Sequence, residues 1–417
     1  MTKKKTIYSI TTIFTAAFLI RCAVYVIMGR LAHPKFWEYH DIAENFLLGK
    51  GLMFPFLDIP NYAYAEPFYP LLSAVVYFVT QHNYVIFGIV NMLASSAVAI
   101  AVYYLGKELF DERVGLLAAL LTAFHPGLVY FATQFHPLTF NALFAVLIIL
   151  TLTRLYRTPK VKNAVITGIV MGLAFLDRSS CLIFIPIAAG LIVFSSTSAR
   201  LKLKLCAIVI LITLIPVAAW SMRNYAVLHK FVITRSSTGY LFWIGNNPNS
   251  KSSATYDQNT AAIETLGKDT LDKFKAMNEL EINTYLMDDA VSYVKSHPWI
   301  FLSRWAKRFY YFWWFSPSAG MFYPPQWFVL YRAFYIFMLV TAMYALISII
   351  AGRKKMKNTY LPGVYLMAVF VLLISATQTL FYIEGRHRWV IEPMLMIFSS
   401  WTIIRIIGFK ERGRFTI

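Results

Sequence analysis

Residues 36–51 read FWEYHDIAENFLLGKG, an acidic amphipathic stretch that directly follows the first hydrophobic run. At helical spacing Tyr39, Ile42, Ala43, Phe46 and Leu47 share an apolar face, Glu38, Asp41 and Glu44 lie on its flank, and Gly49 can end the helix. Such a helix rests on a membrane surface and holds carboxylates there. The rest of the chain supplies the membrane. Of 417 residues 58% are hydrophobic and only 14% charged, with a mean hydropathy of +0.57, from which no ordinary soluble surface can be built.

The formal net charge of +19 sits at the ends of apolar runs rather than on a soluble face, which argues for topology signals and against a nucleic-acid partner. Cys22, Cys181 and Cys206 fall in or beside apolar runs without paired spacing, so neither a disulfide framework nor a zinc site is supported. After Lys3, Lys4 and Lys5 the first apolar run continues to Met28 without a small-residue cleavage site, the pattern of a retained span.

Runs long enough to cross about 30 Å of hydrocarbon number about ten. They begin near Ile7, Tyr84, Arg113, Phe140, Asn163, Cys181, Leu205, Trp327, Tyr360 and Trp389, predicting an all-α polytopic membrane protein with about ten transmembrane helices. Alternate loops are basic: Lys107 and Arg113; Arg154, Arg157, Lys160 and Lys162; Arg200, Lys202 and Lys204; Arg353, Lys354, Lys355 and Lys357; Lys410, Arg412 and Arg414. With Lys3 to Lys5 inside, both termini face the cytoplasm. The expected location is a plasma membrane, the inner membrane of a bacterium or archaeon.

Three parts follow: an N-terminal transmembrane core over 1–221 with an acidic first outer loop at 29–67, an extracytoplasmic and interfacial region over 222–326, and C-terminal transmembrane helices over 327–417. The first outer loop sets Arg30, Lys35 and Lys50 against Glu38, Asp41, Glu44, Asp58 and Glu66, an acidic exception in a basic protein. Residues 67–80 are apolar but too short to span and read as a helix lying in the interface or dipping into it. In the outer region 231–244 is strand-like, Gly245, Asn246, Asn247 and Pro248 signal a turn, and 260–295 reads as polar helix. Residues 299–314 set Arg304, Lys307 and Arg308 among tryptophans and tyrosines, an interfacial helix by composition. There is no internal repeat and no low-complexity tract.

The order of these features resembles the GT-C glycosyltransferases that use a polyprenyl-phosphate sugar, in particular the branch of protein O-mannosyltransferases and lipid A aminoarabinose transferases. The matching pieces are the acidic loop with Asp41 and Gly49-Lys50-Gly51, then Ala65-Glu66-Pro67 leading into Tyr69-Pro70-Leu71. GLAFLDR at 172–178, Arg223-Asn224-Tyr225, FVITRSSTGYLFWIGNNP at 231–248, His297-Pro298 and EGRHRWVIEP at 384–393 follow in the expected order. The chain departs from its relatives at Phe135-His136-Pro137, where many carry an acid. The resemblance implies a GT-C fold with an extracytoplasmic loop subdomain and sugar transfer, with inversion, from a polyprenyl-phosphate donor to a lipid, glycan or protein hydroxyl.

That chemistry asks for a carboxylate to take the acceptor's proton and for cations to hold the departing phosphate. The resemblance puts the catalytic acid in the first outer loop and so implies Asp41, with Glu66 as the second carboxylate and Glu38 behind both. The structural alternative is a solvated face for Asp41, Glu38 and Glu44 and a helix cap for Glu66. For the phosphate the candidates are Arg388, Arg386, Arg178 and Lys50. Set against this are a local Asp177–Arg178 neutralisation and snorkelling of Arg386 and Arg388 to headgroups. Arg21, inside the first span, reads as an interhelical partner or an end-snorkelling residue rather than a substrate ligand. His40, His136 and His387 lack metal-ligand spacing, so neither a metal nor another cofactor is called for. The aromatics of 299–327 read as a membrane belt before a sugar platform.

Two other classes stay open. A lipid or solute transporter or flippase would place polar residues at the midplane of broken, repeated helices, whereas here ionisable residues gather at the outer ends of spans. A non-catalytic binder of lipid-linked sugar would share the same sequence features.

Overall fold

Helices form where the apolar runs predict them. The structure, a computed structural model, describes residues 3–254, 261–317, 319, 323–352 and 361–411. Arg353, Lys354, Lys355, Lys357, Tyr360, Arg412 and Arg414 lie outside the described residues. In chain order the elements are α1 (Lys3–Ile27), β1 (Lys35–Phe36), α2 (Glu38–Leu47), β2 (Phe54–Phe56), β3 (Ile59–Asn61), α3 (Phe68–Thr80), α4 (Tyr84–Leu109), α5 (Glu112–Ala123) and α6 (Pro126–Phe131). Next come β4 (Gln134–Phe135), α7 (Leu138–Arg157), α8 (Val161–Asp177), α9 (Phe184–Val193), α10 (Ala199–Leu228), α11 (Thr238–Gly245), α12 (Lys268–Phe274) and α13 (Glu279–Ser296). The last are α14 (Pro298–Trp313), α15 (Pro325–Ala351), α16 (Leu361–Gln378) and α17 (Glu392–Glu411).

Helices α1, α4, α5, α7 to α10 and α15 to α17 stand at the expected runs. Five of them, α1, α4, α7, α10 and α15, are long and apolar enough to cross a membrane by length and composition. Of the others, α5 has 12 residues and α9 has 10, while α17 has 20, as many as α7. The last run starts at Glu392 rather than near Trp389, because residues Gly385–Val390 form a 3-10 turn whose Arg388 and Trp389 are buried. One apolar core gathers side chains from α3 to α9 and α15 to α17.

The first outer loop forms the predicted helix as α2, and the apolar stretch that follows it forms helix α3. Its entry, β1, pairs in parallel with β4, Lys35 opposite Gln134 and Phe36 opposite Phe135. This short ladder brings the start of α2 beside the turn at His136. The β2–β3 hairpin, Phe54 opposite Asn61, turns through Leu57 and Asp58 at positive φ.

In the outer region the expected strand is instead α11. A β-branched and aromatic composition favours strand only where a sheet receives it. Here Trp243 and Ile244 are buried with Phe274, Ile282, Leu286 and Ala290 in a second, smaller core, with Phe56 and Ile59 of the hairpin packed against it. Contact to the membrane helices is close: a Cβ on Gly245 would lie 1.7 Å from the Phe381 carbonyl oxygen, so only glycine fits there.

Candidate functional site

A cavity of about 710 Å³ opens where the first outer loop, the ends of α7 and α8, α11 and the 378–387 segment meet. That volume suits a ligand of sugar size. Its charged lining comprises Glu38, Glu66, Asp177, Arg178, Arg235 and Arg386, with Lys35 and Glu384.

Glu38 is the first residue of α2 and reaches the cavity because β1 draws the helix start to β4; the next ring back, Trp37, donates from Nε1 to Gln134 Oε1 at 3.0 Å. Among the described residues Glu38 is in no ion pair. Its side chain is half-buried and lines the cavity. This enclosure raises its carboxyl above the usual range, only partly offset by its own backbone N–H and by the Arg386 and Arg235 charges. An enclosed carboxyl without a dedicated cation is poised to take a proton.

Glu66 is held differently. Burial alone would raise its pKa, yet Arg235 Nη1 at 3.0 Å and the Ser179 hydroxyl at 2.8 Å hold it below the ordinary value. Helix α3 has no side-chain cap, so capping is not its role. Arg235 also donates from Nε to Ser237 Oγ at 2.7 Å and lies 6.0 Å from the Tyr64 ring centre.

Arg178 follows α8 and is in no ion pair among the described residues. It donates to neutral groups: Asn141 Oδ1 at 3.1 Å, Ser180 Oγ at 3.1 Å and Gln378 Oε1 at 2.5 Å. The alternative of a local Asp177–Arg178 ion pair does not form, because Asn141 stands between them and donates to Asp177 Oδ2 at 2.8 Å. Arg386 pairs with Glu384 at 2.6 Å and lies 4.6 Å from the Trp37 ring centre. His136 and His387 line the same cavity, and burial first, then Arg386, pushes both well below the ordinary imidazole pKa, so both are neutral at pH 7.

Three candidates stand elsewhere. Asp41 and Lys50 are exposed and do not line the cavity, since Ile42 and Ala43 turn the buried face of α2 inward beside them. Arg388 is 2% exposed and its donors are taken. Nε meets Glu392 at 2.8 Å, Nη1 the carbonyls of Phe312 and Trp314 at 3.0 Å each, and Nη2 the Tyr331 hydroxyl at 2.7 Å. It stacks 3.5 Å from the Tyr335 ring centre. It neither snorkels nor reaches the cavity. Of the two readings of Arg21 the structure has the interhelical one: fully buried, it donates to Ser95 Oγ at 2.7 Å and to the Ala123 carbonyl at 2.9 Å, and it does not snorkel.

Sequence reasoning passed over Arg235 and Trp37. Arg235 carries one signal, a lone cation between Thr234 and two serines in an aromatic stretch, but its partner Glu66 is 169 residues away. Among the described residues no group of three or more His, Cys, Asp or Glu is placed to hold a metal ion.

The architecture is that of a multi-pass helical membrane protein with an acidic first outer loop and, where that loop meets the helix ends, a cavity lined by carboxylates and guanidiniums. Residues 64–220 match the family described as dolichyl-phosphate-mannose-protein mannosyltransferase, a segment that runs from the cavity's Glu66 through Arg178 into α10. Solved structures of the archaeal oligosaccharyltransferase from Archaeoglobus fulgidus have the same fold. The AglB complex with an inhibitory peptide and a dolichol-phosphate aligns at TM-score 0.58 and 11% identity, over 100% of this chain and 53% of that one. The form tethered to an acceptor peptide aligns at TM-score 0.59 and 14% identity, over 97% and 50%. The apo form gives 0.55 and 14%, over 98% and 52%. The chain thus spans about half the length of these structures. No curated protein sequence matches it.

Proposed function

We propose that this protein transfers a mannosyl or related sugar from a polyprenyl-phosphate donor to an acceptor hydroxyl, in the cavity and on the extracytoplasmic side, with both termini cytoplasmic. The observation that carries the reading is the half-buried Glu38 sharing one cavity with Arg178, neither of them in an ion pair among the described residues. Glu38, rather than Asp41, takes the acceptor hydroxyl's proton as that oxygen bonds the anomeric carbon. The bond from that carbon to the phosphate oxygen breaks, and its electron pair leaves with the lipid phosphate, so the configuration inverts. Arg178 and Arg386 hold the departing phosphate, a task suited to planar guanidinium. Glu66 fixes Arg235 and the turn carrying Arg178 through Ser179. The three-part division at 221 and 326 fits this assignment, because each part contributes a wall.

The test is release of polyprenyl phosphate from a labelled donor by the purified protein. Glu38→Gln keeps the shape and removes the proton acceptor, so turnover should fall by about 10²- to 10⁴-fold with donor binding retained. Asp41→Asn should leave turnover near wild type. Full turnover in Glu38→Gln would refute the assignment, and loss in Asp41→Asn alone would return the base to Asp41.

A further inference from the structure

Two arginines are fully buried at opposite ends of the segment that carries Arg386. Arg308 projects from α14, donating from Nε to the Thr379 carbonyl at 2.7 Å, from Nη1 to the Gly245 carbonyl at 2.6 Å and from Nη2 to Asn246 Oδ1 at 3.0 Å. One turn earlier Trp305 Nε1 donates to Thr379 Oγ1 at 3.0 Å. Arg388 closes the other end, reaching back to the Phe312 and Trp314 carbonyls at the C-terminus of α14. Both cations thus satisfy carbonyls that helix ends and turns leave without partners.

Between these anchors run Phe381, Tyr382, Glu384, Gly385, Arg386 and His387, all lining the cavity. The segment makes one 3-10 turn with a Glu384–His387 capping box, and along its length Ile383 N donates to the Ser252 carbonyl at 2.9 Å and Asn246 Nδ2 to the Leu380 carbonyl at 2.9 Å, so the two arginines add the clamps at its ends. Helix α14 is a suitable beam. It presents Trp299, Ile300, Leu302 and Tyr310 outward, the amphipathic face of a helix lying at a membrane interface, while Arg308 and Phe312 are buried on the other side. Burying an arginine without a carboxylate partner, as at Arg308, is costly, and such costs persist where they serve placement.

We propose that Arg308 and Arg388 are positioning residues: they clip both ends of residues 379–388 to α14 and so set Arg386 against the donor phosphate. This rests on the transferase reading above. A misplacement of about 1 Å in such a contact costs on the order of a hundredfold.

The test is a double-mutant cycle on the full chain in nanodiscs, reading the dissociation constant for polyprenyl phosphate. Arg308→Lys retains charge, but a single ammonium cannot replace three directed donors; it should weaken binding by about tenfold or more, as should Arg386→Gln. If Arg308 acts through Arg386, the double variant binds no more weakly than Arg386→Gln. Losses that multiply would overturn the inference, because a merely structural role acts independently of Arg386. Should Arg308→Lys fail to fold, Trp305→Phe, which removes the indole bonds to Thr379 Oγ1 and the Ala376 carbonyl, must show the same non-additivity with Arg386→Gln, and multiplying losses there refute it equally. Wild-type protein that binds no polyprenyl phosphate refutes the transferase reading and this inference together. Binding with multiplying losses refutes the inference alone.

Discussion

Replacing Glu66 by glutamine separates a carboxylate that reacts from one that holds the site together. Glu66 accepts from Arg235 and Ser179, and the side chains of Glu66 and Arg235 are 11% and 14% exposed. Removing one partner of a buried pair costs about 3 to 5 kcal/mol, chiefly because the other charge is left without compensation. The substituted amide would keep one acceptor oxygen for Arg235 or Ser179, so the lower end, about 3 kcal/mol, is expected. The sign with pH follows from the shift. Folding holds the Glu66 carboxyl below its ordinary value of 4.5, so its contribution is fully present above that value and is lost as pH falls through the lower folded pKa. Unfolding of the purified protein, followed by heat or denaturant at pH 7 and again below about pH 4, should therefore show a large gap between wild type and Glu66→Gln at neutral pH. The gap should narrow in acid. Equal stability at pH 7 together with abolished transfer would refute this reasoning and make Glu66 a catalytic group.

Other measurements bear on the same site. Burial raises the Glu38 carboxyl, so kcat/KM should fall on the acid side from a pH above the ordinary carboxylate value, and Glu38→Gln should abolish that limb; a limb unchanged in the variant would assign it to another group. Gly245→Ala would press a methyl onto the Phe381 carbonyl, which should cost about 1 to 3 kcal/mol or more and loosen the 381–387 wall; a fully stable variant would contradict the close approach. Arg388→Lys should lower stability by about 2 to 3 kcal/mol, since one ammonium cannot reach Glu392, Tyr331 and two carbonyls at once; an unchanged unfolding curve would count against the buried network. Single cysteines at Asn249 and Lys160 in a cysteine-free background should label from opposite sides of the membrane, and labelling from one side would overturn the topology.

The helical membrane fold was legible in the sequence because its signals are local. Apolar length gives the long helices and the short α3, and amphipathic spacing gives α2 and α14, each readable within a window of about 20 residues. The GT-C resemblance likewise rests on ordered local motifs. The site was only half legible, and the reason is that its members meet across long sequence separations. Periodicity put Glu38 and Asp41 on the same flank of α2, yet only the β1–β4 pairing decides that Glu38 enters the cavity while Asp41 stays in solvent. Arg388 and Arg386 look alike in GRHR, but tertiary packing sends one to Glu392 and Tyr335 and the other over Trp37. The stretch before Gly245 has the composition of a strand and becomes helix α11 because no sheet is there to receive it, whereas a second core formed with α13 is. Charge and hydropathy settle what kind of environment a segment occupies, while which carboxylate is enclosed without a cation depends on partners that only the folded chain brings together.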